Sequence, residues 1–236
     1  DEVERWKLKR HAEGLAGGLV PSDAKYPSEI IKRHAHELIG RQEVQSLLDE
    51  VIKAHPKLVE ELIPNLLPLG TVVRILSNLL RERVPVRDLR TILEVLADHA
   101  ATTKDPDSLT EVARQALGRA ITRQYLQPDG TLPVINLDPR LDRKLAEQVA
   151  ATAQGGYWSL DPGIAQKLLA GLKQAAERVA AKGQQPIVLC SPTLRRHLRK
   201  LSERVLSSVP VLAFSEVDGI AKIKALETVR LGEEAA

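Results

Sequence analysis

The apolar residues of this chain change their spacing near residue 125, and that change limits the folds open to it. Before it they recur every three or four residues, the period of an amphipathic helix; after it, short continuous apolar runs alternate with helical stretches. A chain written this way is expected to be α+β and multi-subdomain, a helical subdomain followed by a small α/β subdomain with a mixed sheet. The expected divisions are 1–27, a linker or remnant of an upstream segment rich in Gly14, Gly17, Gly18, Pro21 and Pro27; 28–116, helical; and 117–236, α/β.

In the helical part Ser28 reads as an N-cap for a helix carrying Ile30, Ile31, Ala35 and Leu38 and closed by Gly40. Val44, Leu47, Leu48, Val51 and Ile52 mark a second helix that His55-Pro56 ends, and Leu58, Val59, Leu62 and Ile63 a short third that stops at Pro64. The spacing predicts a helix over 70–83 burying Val72, Val73, Leu76, Leu79 and Leu80. After Val84-Pro85-Val86 another buries Leu89, Ile92, Leu93 and Leu96. Asp105 and Pro106 fit the cap and first position of one long helix with Leu109, Val112, Ala113, Ala116, Leu117, Ala120 and Ile121 on one face.

Beyond the turn at Gln127-Pro128-Asp129-Gly130, Leu132–Leu137 reads as a strand, placed near a sheet edge because Pro133 lacks a donor. A helix follows from Pro139 to about Val149, then a loop at Gly155-Gly156. Asp161 and Pro162 cap the next helix, which carries Leu168, Leu169, Leu172, Ala176 and Val179 to Gly183. Ile187–Cys190 has the unbroken apolarity of a central strand. Ser191, as N-cap, and Pro192 open a helix with Leu194, Leu198, Leu201 and Val205 inward. Val211–Phe214 and Ile223–Val229 are the last strands.

Composition removes several classes. With 43% hydrophobic and 28% charged residues the chain is neither disordered nor membrane-spanning, and it is expected to be soluble. A single cysteine, Cys190, permits no internal disulfide and suits a reducing compartment. The absence of methionine, even at position 1, reads as a fragment of a longer protein. His34, His36 and Glu37 suggest zinc, but residues two apart on a helix face different ways, so no metal site is expected. Ser191 lacks the Gly-x-Ser-x-Gly context of a nucleophile, and no phosphate-binding glycine loop occurs. No catalytic, cofactor-binding or metal-binding residues are assigned, and the chain is not expected to be an enzyme.

Two charged faces remain. Arg87, Asp88, Arg90, Glu94 and Asp98 mix both signs along one helix; Arg195, Arg196, Arg199, Lys200 and Arg204 form a basic helix face opposed only by Glu203. The second face, with the helical pair over 70–98, leaves a basic nucleic-acid-binding module as an alternative. The net charge of +3 and aromatic content of 3% give it little support.

Five runs then identify a family by their order: Glu29-Ile-Ile-Lys-Arg-His-Ala-His-Glu-Leu-Ile-Gly-Arg-Gln-Glu-Val-Gln45, Pro56-Lys-Leu-Val-Glu-Glu-Leu62, Val84-Pro-Val-Arg-Asp-Leu-Arg-Thr-Ile-Leu-Glu-Val-Leu-Ala-Asp98, Leu117-Gly-Arg-Ala-Ile-Thr122 and Val209-Pro-Val-Leu-Ala213. From about residue 28 to 232 the chain resembles the C-terminal cytoplasmic region of the flagellar export-gate (FHIPEP) family, which has relatives in virulence type III secretion. The resemblance implies a non-enzymatic, cofactor-free export component. In that family a membrane-embedded N-terminal half precedes four cytoplasmic subdomains that assemble as a nine-membered ring below the secretion pore. The ring receives export chaperones with their substrates, and stalk and ATPase-complex components. This chain would supply the third subdomain, about 41–110, and the fourth, about 118–236, at the cytoplasmic face of the bacterial inner membrane. A flagellar system is expected, a virulence homologue being the alternative; no nucleic acid is expected. The mixed face then becomes the expected subunit interface, and the basic face the expected site for the stalk or a chaperone. The chain departs from the family pattern before Ser28, where the first two subdomains would stand, and at Lys25-Tyr26-Pro27, where the family carries Thr-His-Leu.

Overall fold

The structure, a computed structural model, describes residues 34–152, 158 and 160–231. The expected Ser28 cap, the 1–27 linker and the Gly155-Gly156 loop lie outside the described residues. The chain divides into two compact units, the first ending at Leu117 and the second starting at Gly118.

The first unit is helical. After a helical stretch at 34–38, α1 (Arg41–Ala54) starts at Gly40, whose N–H donates to Glu43 Oε2 at 3.0 Å, and it buries Val44 and Leu48. The next helix, α2 (Pro56–Glu60), runs into a segment Glu61–Leu66 that breaks at Ile63. There φ −122° and ψ 123° are extended, as steric conflict with the ring of Pro64 demands. In α3 (Leu69–Arg81) the buried stripe is Val72, Ile75, Leu76 and Leu79. Val73 and Leu80, expected inside, stay half-buried because Ile75 completes the i, i+3, i+4, i+7 row. The Asp88 carboxylate caps α4 (Leu89–Ala100), accepting from Thr91 N at 3.2 Å, and the helix buries the expected Leu89, Ile92, Leu93 and Leu96. Asp105 caps α5 (Pro106–Ala116) in the expected way, accepting from Ser108 N at 2.9 Å.

Helix α5 packs against both α3 and α4 and carries a charge into that contact. Arg114 is 2% exposed and its Nη1 lies 3.3 Å from Glu82 Oε2, at the end of α3. Sequence periodicity gave no sign of it, because Arg114 sits one residue past the apolar Ala113.

The long helix expected through Ile121 is two helices. The first stops at Ala116, and α6 (Gly118–Arg123) follows. Gly118 lets the chain approach closely there, since an added Cβ would stand 2.5 Å from the backbone oxygen of Glu216. Thr122 Oγ1 donates to that same oxygen at 2.9 Å, so α6 is fastened to the turn around Glu216.

The second unit is built on a four-stranded sheet in the order β3-β2-β1-β4, with β1 (Thr131–Leu137), β2 (Val188–Cys190), β3 (Val211–Ala213) and β4 (Lys222–Val229). All three pairings are parallel, so the expected mixed sheet is corrected. Helices return the chain between the first three strands, α7 (Pro139–Thr152) and α8 (Pro162–Ala181) between β1 and β2 and α9 (Pro192–Ser202) between β2 and β3, while a short turn at Phe214–Glu216 leads from β3 toward β4. Such crossovers bring the following strand in parallel, whereas antiparallel neighbours come from hairpins.

The expected edge position of β1 is also overturned, since β1 lies between β2 and β4. Pro133 is tolerated there because the ladder to β2 begins only at Ile135, which donates to Ile187 O at 2.7 Å. Pro133, two residues earlier on the same strand edge, precedes that ladder. The core joins Ile135, Val188 and Cys190 from the strands with Leu145, Leu168, Leu172, Leu194 and Leu198 from the helices. Val205, expected inward, is 49% exposed: α9 ends at Ser202, and Leu206 turns in instead.

Glu82→Ala removes the carboxylate 3.3 Å from the buried Arg114 guanidinium and is expected to cost about 3 kcal/mol, read as a lowered urea midpoint. Gly118→Ala forces a backbone shift and should cost about 1–3 kcal/mol in the same measurement.

Candidate functional site

The mixed-charge residues come together on the outer side of α4. Arg87, Asp88, Arg90, Glu94 and Asp98 are all exposed, while Leu89, Ile92, Leu93 and Leu96 face the core. Two of the five are engaged with each other: Arg90 Nε donates to Glu94 Oε1 at 2.8 Å. That hydrogen bond first, and then the Glu94 charge, raises the Arg90 pKa above its ordinary value. Asp88 spends one carboxylate oxygen on the helix cap and the other on Thr91 Oγ1, at 2.8 Å. Along the helix Arg90, Glu94 and Asp98 follow at four-residue steps, basic at the start and acidic at the finish, with Arg87 just before the cap.

The five basic residues of the second face do not form one surface. Arg195 is 1% exposed, and its Nη1 donates to the Val211 carbonyl at 3.4 Å. Arg199, one turn on, donates from Nη1 to Val209 O at 3.2 Å and from Nη2 to Ser207 O at 3.3 Å. Together they hold the return segment between α9 and β3 to the helix. Arg196 is half-buried, donating from Nε to His197 Nε2 at 3.1 Å; Lys200 and Arg204 alone are exposed. The expected basic face is thereby corrected to a pair of structural arginines and a smaller exposed remainder. A phosphate-binding helix with two of its five cations turned inward is not supported. The signal that could have separated them was present: Leu194 and Leu198 place the buried stripe, and Arg195 and Arg199 follow it by one residue each.

His197 packs edge-on against Trp158, with ring centroids 5.6 Å apart and an interplanar angle of 70°. Burial lowers its pKa below the ordinary histidine value, and the charges of Arg196 and Lys200 lower it further. Ser191 holds the expected N-cap position of α9 with extended backbone. Its hydroxyl makes no capping bond, while its N–H donates to Asp142 Oδ1 of α7 at 3.1 Å. Cys190 is fully buried in β2, the place expected for a structural thiol.

Arg195→Glu is expected to destabilise the second unit by about 3 kcal/mol or more, because it buries an unpartnered charge against carbonyl oxygens. Arg204→Glu, on the exposed side, should stay within about 0.5 kcal/mol, and urea unfolding of the two variants separates the roles. For His197 the folded pKa lies below the unfolded one, so the unfolded chain takes up its proton first as the pH falls. Stability should therefore be full above about pH 6.5 and decline as the pH drops below it, and His197→Phe should flatten that part of the unfolding profile.

The FHIPEP family pattern matches residues 24–222. The chain is 39% identical over 202 residues to the flagellar biosynthesis protein FlhA of Bacillus subtilis, covering 86% of this chain and 30% of that protein. It thus spans about a third of the length of this relative. Among solved structures, nonameric EPEC SctV-C aligns with a TM-score of 0.74 at 32% identity, covering 86% of this chain and 60% of that one. The Chlamydia pneumoniae CdsV protein in its complex with CdsO aligns with a TM-score of 0.74 at 30% identity, covering 86% of this chain and 59% of that one. With its helical unit, its parallel-sheet unit and most of its length matched, the chain belongs to the FHIPEP family.

Proposed function

We propose that this chain belongs to the cytoplasmic part of a flagellar protein-export gate, acting by assembly and docking rather than by chemistry. The observation that carries the reading is its likeness over 86% of its length to a domain whose solved form is a nonamer. In a closed ring each subunit offers two different surfaces to its neighbours, so a contact needs complementary rather than identical faces. The α4 stripe meets that need along one helix: its Arg87-Arg90 end can oppose the Glu94-Asp98 end of a neighbouring copy. A relative solved with CdsO supports a docking role for the same region, and export chaperones with their substrates, stalk and ATPase-complex components are the partners proposed here. Among the described residues no single helix is long and apolar enough to cross a membrane, and no three His, Cys, Asp or Glu side chains gather as a metal site. The reading places the chain on the cytoplasmic side of the bacterial inner membrane, joined to a membrane part outside this sequence.

The test is charge reversal in the whole parent protein, in cells. Arg87→Glu with Arg90→Glu should reduce secretion of flagellar substrates by about tenfold or more while protein level is kept, and adding Glu94→Arg with Asp98→Arg should restore part of it. Secretion unchanged by the first pair would remove α4 from the interface.

A further inference from the structure

The sheet has two edges, and only one is long enough to receive another strand. The β3 edge is three residues; β4 is eight, paired on one side with β1 in register from Lys222 to Ala225 and again from Glu227 to Val229, with a bulge between. Lys222 N donates to Gly130 O at 3.0 Å, so the backbone groups of Lys222 and Lys224 turn toward β1. Those of Ile223 and Ala225 turn outward, since successive residues of a strand alternate. Among the described residues, Ile223 and Ala225 have no partner on that side.

The same alternation sorts the side chains. Lys222 and Lys224 lie on one face of the strand, Ile223 and Ala225 on the other, and all four residues are exposed, Ile223 at 46%. Ile220, just before the strand, is 75% exposed. Hydrogen bonds from Thr131 hold the Asp129 carboxyl below its usual range, and the charge of Lys224 lowers it a little further. Further along, Glu227 is bridged by Arg178 and Lys182, both at 3.0 Å, so it contributes no free negative charge. The open stretch is therefore a positive, partly apolar edge about four residues long.

We propose that the edge of β4 at Lys222–Ala225 receives an extended polypeptide segment of alternating acidic and apolar residues as an added strand. Backbone donors and acceptors of Ile223 and Ala225 supply the hydrogen bonds. Cross-strand pairing then sets the composition: acidic residues beside Lys222 and Lys224, apolar residues beside Ile223 and Ala225. A second copy of this edge is the wrong occupant, because it would set lysine against lysine. Lysines on an edge also deter self-pairing, which is the property expected of an edge reserved for a different chain. The inference stands on the sheet alone and does not depend on how the ring assembles.

The test uses the full chain and an acetylated ten-residue peptide alternating glutamate and valine, with a lysine-valine peptide as control. The glutamate peptide should slow amide exchange at Ile223 and Ala225 by about tenfold or more at saturation, and the lysine peptide should not. Ile223→Pro removes one outward donor while leaving the inward ladder, and should abolish the protection at Ala225. Lys222→Glu with Lys224→Glu, which touches no buried group, should reverse the preference between the peptides and keeps the test open if the proline variant does not fold. Equal binding of both peptides, protection confined to other residues, or concentration-dependent protection of the edge without peptide would each overturn the proposal.

Discussion

Everything in the second unit follows from the requirement that a parallel sheet be covered. Parallel neighbours cannot be joined by hairpins, so β1, β2 and β3 are separated by α7, α8 and α9, and those helices need apolar strands to rest on. This is why β2 is Val188-Leu189-Cys190 with no polar residue, and why β1 is buried through Leu132, Pro133, Val134 and Ile135. The same requirement explains the inward arginines. A return segment from α9 to β3 leaves carbonyls at Ser207, Val209 and Val211, and Arg195 and Arg199 satisfy them from the helix. Only β4, arriving last and on the far side of β1, keeps five residues in water.

Much of this was legible in the sequence. Helical periods located α1, α3, α4 and α8, and capping chemistry at Asp105 and Asp161 agrees with helix starts at Pro106 and Pro162. Strand positions were legible too, from apolar runs bounded by turns. Sheet polarity was not, because a continuous apolar run shows that a strand is buried without showing which way its neighbour runs. The edge assignment of β1 failed for a related reason: a proline excludes only one hydrogen bond, and β2 is short enough to leave that bond unneeded. The division of the expected long helix at Leu117 was hidden because the apolar period runs on through Ile121, while the close contact of Gly118 is with Glu216, almost a hundred residues away.

The candidate surfaces divided by the same logic. Charges in α4 sit opposite its buried stripe, so a surface reading from periodicity agrees with the structure. In α9 the charges flank the stripe, and a long guanidinium beside a buried leucine can turn inward when carbonyls wait there. Counting basic residues along α9 could not separate these cases; the unmet carbonyls belong to the loop, not the helix. What remains is an FHIPEP chain whose first unit exposes a polarised helix and whose second unit is internally fastened.

The most direct test of that account is a reconstruction by electron cryomicroscopy of this chain joined to the upstream cytoplasmic region of its parent. The account predicts a closed ring in which Arg87 and Arg90 of one subunit lie within ion-pair distance of Glu94 or Asp98 of the next. A closed ring with the outer face of α4 turned to solvent, or particles that stay monomeric at the highest usable concentration, would contradict it.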